Sequence, residues 1–227
     1  MFPFFDSTMV LILPALALAL YAQAKVKSTF AKYSKVPASS GLTGAEVAER
    51  LLRDGGLGEV EVEHVAGNLS DHYDPRSKKL RLSDATFRSK SVAALGVTAH
   101  EVGHALQHKQ AYGAFQIRQS IVPVANLGST LALPLFFIGF LMSIKPLIDF
   151  GILLYAGAVA FTVITLPVEF NASSRALALL HQRGYLVQTE VEQAKKVLNA
   201  AALTYVAATS MAVLELVRLL VLRGQRD

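Results

Sequence analysis

The sequence predicts a mainly α membrane protein, with three to four transmembrane helices and a small α+β part in water. Three observations predict it. Hydrophobic residues make up 52% of the 227 and charged residues 17%, against about 25% charged in an average soluble domain. The charges are missing in blocks: residues 7–24, 119–144, 150–168 and 197–214 contain none. Between these blocks, residues 25–118 and 170–200 carry ordinary polar sequence. A net charge of +5 spread along the chain gives no basis for nucleic-acid binding. The absence of cysteine excludes a disulfide scaffold, a thiolate zinc site and a cysteine nucleophile.

A helix needs about 20 mostly apolar residues to cross the hydrocarbon core. The blocks within 119–168 meet that length and read as a hairpin of two spans. Pro123, Pro134 and Pro146 do not exclude the first of them, since membrane helices tolerate proline. Residues 1–24 read as an uncleaved anchor rather than a signal peptide. The leading MFPFFDST carries an Asp and no Lys, and the lysines (Lys25, Lys27, Lys32, Lys35) follow the apolar run. Residues 201–227 either span the bilayer or lie in its interface. Glu215 and Arg218 stand three apart there, on one helical face where they can pair. The lysines after the first span put residues 25–118 in the cytoplasm. The hairpin turn near Lys145 to Asp149 is then outside and 169–200 returns inside, while a fourth span would leave Arg223 and Arg226 outside, against the rule. Gly139, Gly151 and Gly157 suit close packing of the hairpin, within an oligomer of this chain or against another membrane protein.

In the first polar segment, Ala38-Ser-Ser-Gly41 is a loop and Thr43 with Glu46 forms a capping box for a helix over Gly44 to Arg53. That helix has Val47, Leu51 and Leu52 on one face, and Asp54-Gly-Gly56 ends it. Val60, Val62 and Val65 alternate with Glu59, Glu61 and Glu63 as a half-buried strand. Asp74-Pro75 marks a turn, and Lys79 to Ser83 alternates as a second strand. Ser91 opens a long helix that runs to about Gln110.

Within that helix stands His100-Glu101-Val102-Gly103-His104. His100 and His104 are i and i+4, so both imidazoles project from one face and can bind one Zn2+ ion. Glu101, next to the first ligand, can act as general base on a water that zinc activates. Gly103 is read as leaving room beside the metal. A catalytic zinc takes three protein ligands and keeps one position open. The pattern that supplies a third His six residues after the second fails, because Gln107 and Gln110 stand at its Gly and His positions. His108 lies one turn, about 6 Å, beyond His104 along the axis and is awkward for the same ion. His64, His72 and His181 read as solvated. Glu169 is the better third ligand: a carboxylate ending an apolar run needs a partner. Two crossings separate it from His104, so both lie on the same side of the membrane.

These residues resemble a family. HEVGHALQH, preceded by YDPRSKKLRLS and followed by PVEFNASSRAL, is similar to the YugP-type neutral zinc metallopeptidases of bacterial membranes. More distantly it is similar to the HtpX-type membrane proteases, whose third ligand is a Glu opening a Glu-x-x-Ala-Asp block. Here Glu169 and Ala172 match, and Ser173 stands where that pattern has Asp. The resemblance implies a zincin-like catalytic domain with a gluzincin-like HExxH…E ligand set of His100, His104 and Glu169. It implies a multi-pass protein of the bacterial inner membrane, cutting peptide or protein substrates, with 25–118 as the zincin-like part and 169–200 as a second catalytic helix segment. Leu80 to Ser83 would be the edge strand on which an extended peptide pairs; otherwise these residues simply pair within the sheet. His181, Tyr185, Arg175 and Tyr205 are the candidates for stabilising the oxyanion.

Two other classes compete with a membrane-anchored zinc endopeptidase. A zinc-stabilised membrane scaffold or regulator without turnover would have no need of Glu101. A transporter or channel subunit would call for more charge within the spans and for a pair of broken helices.

Overall fold

The computed structural model describes residues 7–225; Asp6, which closes the first uncharged block, and Arg226 in the tail lie outside them. The described residues are mainly helical. In chain order the elements are α1 (Leu13–Tyr33), α2 (Gly44–Asp54), β1 (Glu61–Val65), β2 (His72–Asp74), β3 (Lys79–Ser83), α3 (Asp84–Phe87), α4 (Val92–Lys109), α5 (Gly113–Met142), α6 (Lys145–Gln182) and α7 (Gln188–Gly224). A 3-10 segment, Ser7–Ile12, leads into α1. Four stretches are long and apolar enough to cross a membrane: Ser7–Tyr33, Gly113–Met142, Lys145–Gln182 and Gln188–Gly224.

The third span and the segment bearing Glu169 form one helix. α6 continues for 38 residues, about 57 Å at 1.5 Å per residue. It carries Pro167 in its interior, where one backbone hydrogen bond is lost without ending the helix. α7 likewise joins the polar segment after Gln188 to the apolar block without a break.

The chain divides into two compact units. One holds Met1–Gln23, Gln116–Leu166 and Thr204–Asp227. Its apolar centre is Phe136, Ile148, Leu219 and Leu222. Here the glycines of the hairpin serve contacts inside the chain. A Cβ on Gly151 would stand 2.8 Å from the Phe136 backbone nitrogen, and one on Gly139 would stand 2.8 Å from that of Ile148, so these glycines let α5 and α6 approach backbone to backbone. Gly157 faces open space. The expected pair in residues 201–227 is present: Arg218 donates to Glu215 at 2.9 Å and to the Thr8 hydroxyl at 3.1 Å.

The other unit holds Ala24–Phe115 and Pro167–Leu203. The capping box forms as the sequence predicts, with the Thr43 hydroxyl accepting from the Glu46 N–H and the Glu46 carboxylate accepting from the Thr43 N–H. Val47, Leu51 and Leu52 of α2 are buried against Leu95, Val102 and Leu106 of α4 within one core. Ser91 caps α4 by accepting from the Ala94 N–H. α4 is buried round most of its circumference, which its small residues permit.

The sheet corrects one expectation. Its order is β1-β3-β2, with β1 parallel to β3 and β2 antiparallel to it. Leu80 to Ser83 therefore lies in the central strand, not at an edge. β1 pairs along one side of this strand and β2 along the other, while Leu80 and Leu82 turn one face into the core and are fully buried. The strand the sequence reading missed is β2, only three residues long, and it is the edge strand nearer α4.

β2 and β3 are joined by the turn that Asp74-Pro75 signals. The Asp74 carboxylate accepts from the Ser77 hydroxyl at 2.6 Å and the Arg76 N–H at 3.0 Å. Hydrogen bonding to Ser77, only partly opposed by burial, lowers its pKa to about 2. A depressed carboxylate stabilises the fold above its unfolded pKa, near 4, and that contribution is lost as pH falls toward about 2. Protection of the Arg76 and Ser77 amides, taken relative to their intrinsic exchange rates, should therefore fall between those values in wild type, and should already be low at neutral pH in Asp74→Ala.

Candidate metal centre

The stripe of α4 that begins at Gly96 and continues through His100, Gly103 and Gln107 repeats at helical spacing. Gly96 lies against Ala194 of α7, with a Cβ there meeting the alanine methyl at 3.4 Å. At Gly103 a Cβ would come 2.8 Å from the Ala172 carbonyl oxygen of α6. The space left by Gly103 is thus filled by the α6 backbone rather than by a ligand of the metal, which corrects the expectation for this glycine. The consequence for the site is the same in kind: α4 and α6 come close enough for short side chains to meet.

His100, His104 and Glu169 are brought together, each offering one atom to a common point. His104 Nε2 is 3.1 Å from His100 Nε2. Glu169 Oε2 is 3.2 Å from the first histidine's Nε2 and 3.6 Å from the second's. Ligands about 2.0–2.1 Å from a tetrahedral zinc lie about 3.3 Å apart. The observed triangle has that size, so the residues fit one zinc ion. The donor chemistry fits as well. Glu169 is 2% exposed, and a buried carboxylate beside two ring nitrogens needs a cation, whether a proton or a metal. For His104, burial disfavours the imidazolium, but the hydrogen bond to Glu169 and the charge of Glu101 outweigh it, and the pKa is raised. Protons therefore compete with a metal for this ring.

The ring nitrogens facing away from the triangle are both held. Gln107 Oε1 lies 3.0 Å from His104 Nδ1, and the Gln107 amide donates to the Val168 carbonyl at 2.8 Å and to Asn171 at 2.9 Å. Because the Gln107 nitrogen is spent on α6, its oxygen must accept, which assigns the proton of neutral His104 to Nδ1 and leaves Nε2 free. His100 Nδ1 lies 3.1 Å from the Ser173 hydroxyl. Ser173 therefore sits where it can orient His100, without the charge that Asp would bring. Gln107 was visible in the sequence only as the residue that broke another pattern. Its spacing, i+3 from His104, was the available signal.

Glu101 is 8% exposed. Its Oε2 accepts from the Tyr73 N–H at 2.9 Å, from the edge strand β2. The Tyr73 hydroxyl lies 2.9 Å from His108 Nδ1, so His108 joins β2 rather than the triangle. His64 pairs with Asp84 at 2.6 Å and His72 with the Ser70 carbonyl at 2.8 Å. Of the oxyanion candidates, Tyr185 belongs to the apolar core and Tyr205 falls in the other unit. His181 is exposed on α6. Arg175 donates to Asn171 at 2.7 Å and to Gln110 at 2.5 Å.

A family model described as "Putative neutral zinc metallopeptidase" matches residues 8–224. The chain belongs to that family. A curated relative from Bacillus subtilis (strain 168), named "Putative membrane protease YugP", is 51% identical over 208 residues and covers 92% of each chain. No solved structure matches this chain. Zinc is thus the metal of the family, and the chain is a membrane protein of the metallopeptidase class.

Gln107 lies outside the group of His100, His104 and Glu169, and removing its amide should still disturb zinc binding there. Gln107→Leu is expected to weaken zinc by about 10- to 100-fold in a chelator competition. Gly103→Ala should weaken it at least as much, because its Cβ meets Ala172 backbone that cannot move aside.

Proposed function

We propose that this protein is a membrane-anchored zinc endopeptidase of gluzincin type, with His100, His104 and Glu169 as the metal ligands and Glu101 as the general base. The observation that carries the reading is the triangle of Nε2, Nε2 and Oε2 at 3.1–3.6 Å with Glu101 next in sequence to the first of them. When bound, zinc supplies Lewis acidity, which makes a water nucleophilic near neutral pH and polarises a peptide carbonyl.

The chain's own residues do the rest. Tyr73 holds one oxygen of Glu101 through its N–H, fixing the carboxylate's rotation and leaving Oε1 to take the proton of the attacking water. The same carboxyl group then delivers that proton to the leaving amine. Gln107 and Ser173 keep the two imidazoles turned inward. Peptide or protein is the substrate, and membrane proteins are included in its range because the catalytic residues share a chain with membrane spans. The lysines after the first apolar block favour a cytoplasmic active site.

Glu101→Gln should keep zinc and lose roughly 10²- to 10⁴-fold in the cleavage of a peptide library by purified protein. Full activity in that variant would exclude the mechanism. His104→Ala and Glu169→Ala should lose both zinc and cleavage, and zinc retained in Glu169→Ala would move the third ligand elsewhere. A cysteine introduced near residue 40, in a chain with none of its own, should react with an impermeant thiol reagent only after the cells are opened.

A further inference from the structure

Away from the metal site, α1 and α7 enclose a groove of about 510 Å³ in which positive charge collects. Lys25 and Lys32 reach it from α1, and Lys196 from α7. None of the three is ion-paired among the described residues. Thr29 and Asn199 add a hydroxyl and an amide to the wall, and neither side chain has a hydrogen-bond partner there. Thr29 is 9% exposed, and its hydroxyl stands in the wall of the groove without a protein partner, where it can donate to a bound oxygen. Three ammonium groups without a counter-charge, beside two free polar groups, define a site for an anion with several oxygens.

The position of these residues in the chain indicates what carries the anion. Lys25 is the first charge after the uncharged block 7–24, and Lys196 is the last before the block 197–214. With those blocks in the bilayer, both ammonium groups come to the level of the lipid headgroups, where phosphate is concentrated. Ala200 and Leu203 continue the same wall one and two turns past Lys196, into the apolar block, as the start of an acyl chain requires. Lys27 and Lys35, on the same basic stretch, are exposed and do not line the groove. We infer that the groove binds the phosphate headgroup of an anionic phospholipid, with Lys25, Lys32 and Lys196 around the phosphate and Thr29 and Asn199 donating to its oxygens. The site is separate from the metal centre and does not depend on catalysis.

The test uses the full chain, purified in a neutral detergent and titrated with phosphatidylglycerol, phosphatidylcholine or inorganic phosphate, with bound lipid read by native mass spectrometry. Wild type should retain one phosphatidylglycerol in preference to phosphatidylcholine, and inorganic phosphate should not displace it. Lys25→Gln with Lys196→Gln should weaken retention by about tenfold or more. Lys27→Gln with Lys35→Gln removes the same charge from the same stretch and should change it less than about twofold. An unchanged melting temperature in both double variants shows that each is folded; should the first pair melt early, Thr29→Val in the wild-type background replaces it, with loss of retention expected. Equal weakening in the two pairs would reduce the effect to diffuse charge and overturn the site. So would equal retention of the two lipids, and displacement by inorganic phosphate would make it a site for the free anion instead.

Discussion

The contact on which the grouping of His100, His104 and Glu169 depends is the one between Gly103 and the Ala172 carbonyl. Two helix backbones that touch leave their neighbouring side chains little distance to bridge. His100 and His104 flank that contact on α4, and Glu169 and Ser173 flank it on α6. Bulky residues between two helices hold the axes toward the wider end of the usual range of about 8–10 Å. A glycine on one helix opposite an alanine on the other removes those residues. Gly96 opposite Ala194 repeats the device one helix over, so the α4 face that carries His100 is held by α6 and α7 alike.

Close approach alone would place the three donors without aiming them. Aim comes from hydrogen bonds on the outer nitrogens. Gln107 sits between His104 and the α6 backbone, and the direction of its amide is fixed because only its nitrogen can donate to the Val168 carbonyl. Ser173 holds the outer nitrogen of His100 with a hydroxyl that adds no charge. Tyr73 extends the same logic to Glu101, tying a helix residue to a strand only three residues long.

The buried pair of Glu215 and Arg218 follows a different rule. It lies in the unit with the hairpin and is completed by Thr8. Desolvation offsets much of the attraction in such pairs, so its main effect is on specificity of packing. It lets α7 carry charge through an apolar block by keeping that charge turned to its own chain.

Much of this was legible in the sequence, because it is written in local spacing. The i and i+4 histidines, the capping box at Thr43, the turn at Asp74-Pro75 and the uncharged blocks each depend on residues a few positions apart. Glu169, 65 residues beyond His104, stood out as a carboxylate at the end of an apolar run, and the structure brings it beside both histidines. Three things were decided only by the tertiary structure. Leu80 to Ser83 became the central strand because β1 pairs along one side of it and the three-residue β2 along the other, and neither pairing is written in the alternation of Lys79 to Ser83 itself. Gly103 proved to be a spacer for a backbone 69 residues away. Gln107 and Tyr73 gained their roles from partners on other elements. Local spacing fixes which side chains share a face, but which of them touch depends on how closely two elements pack, and that distance is set by the smallest residues of both.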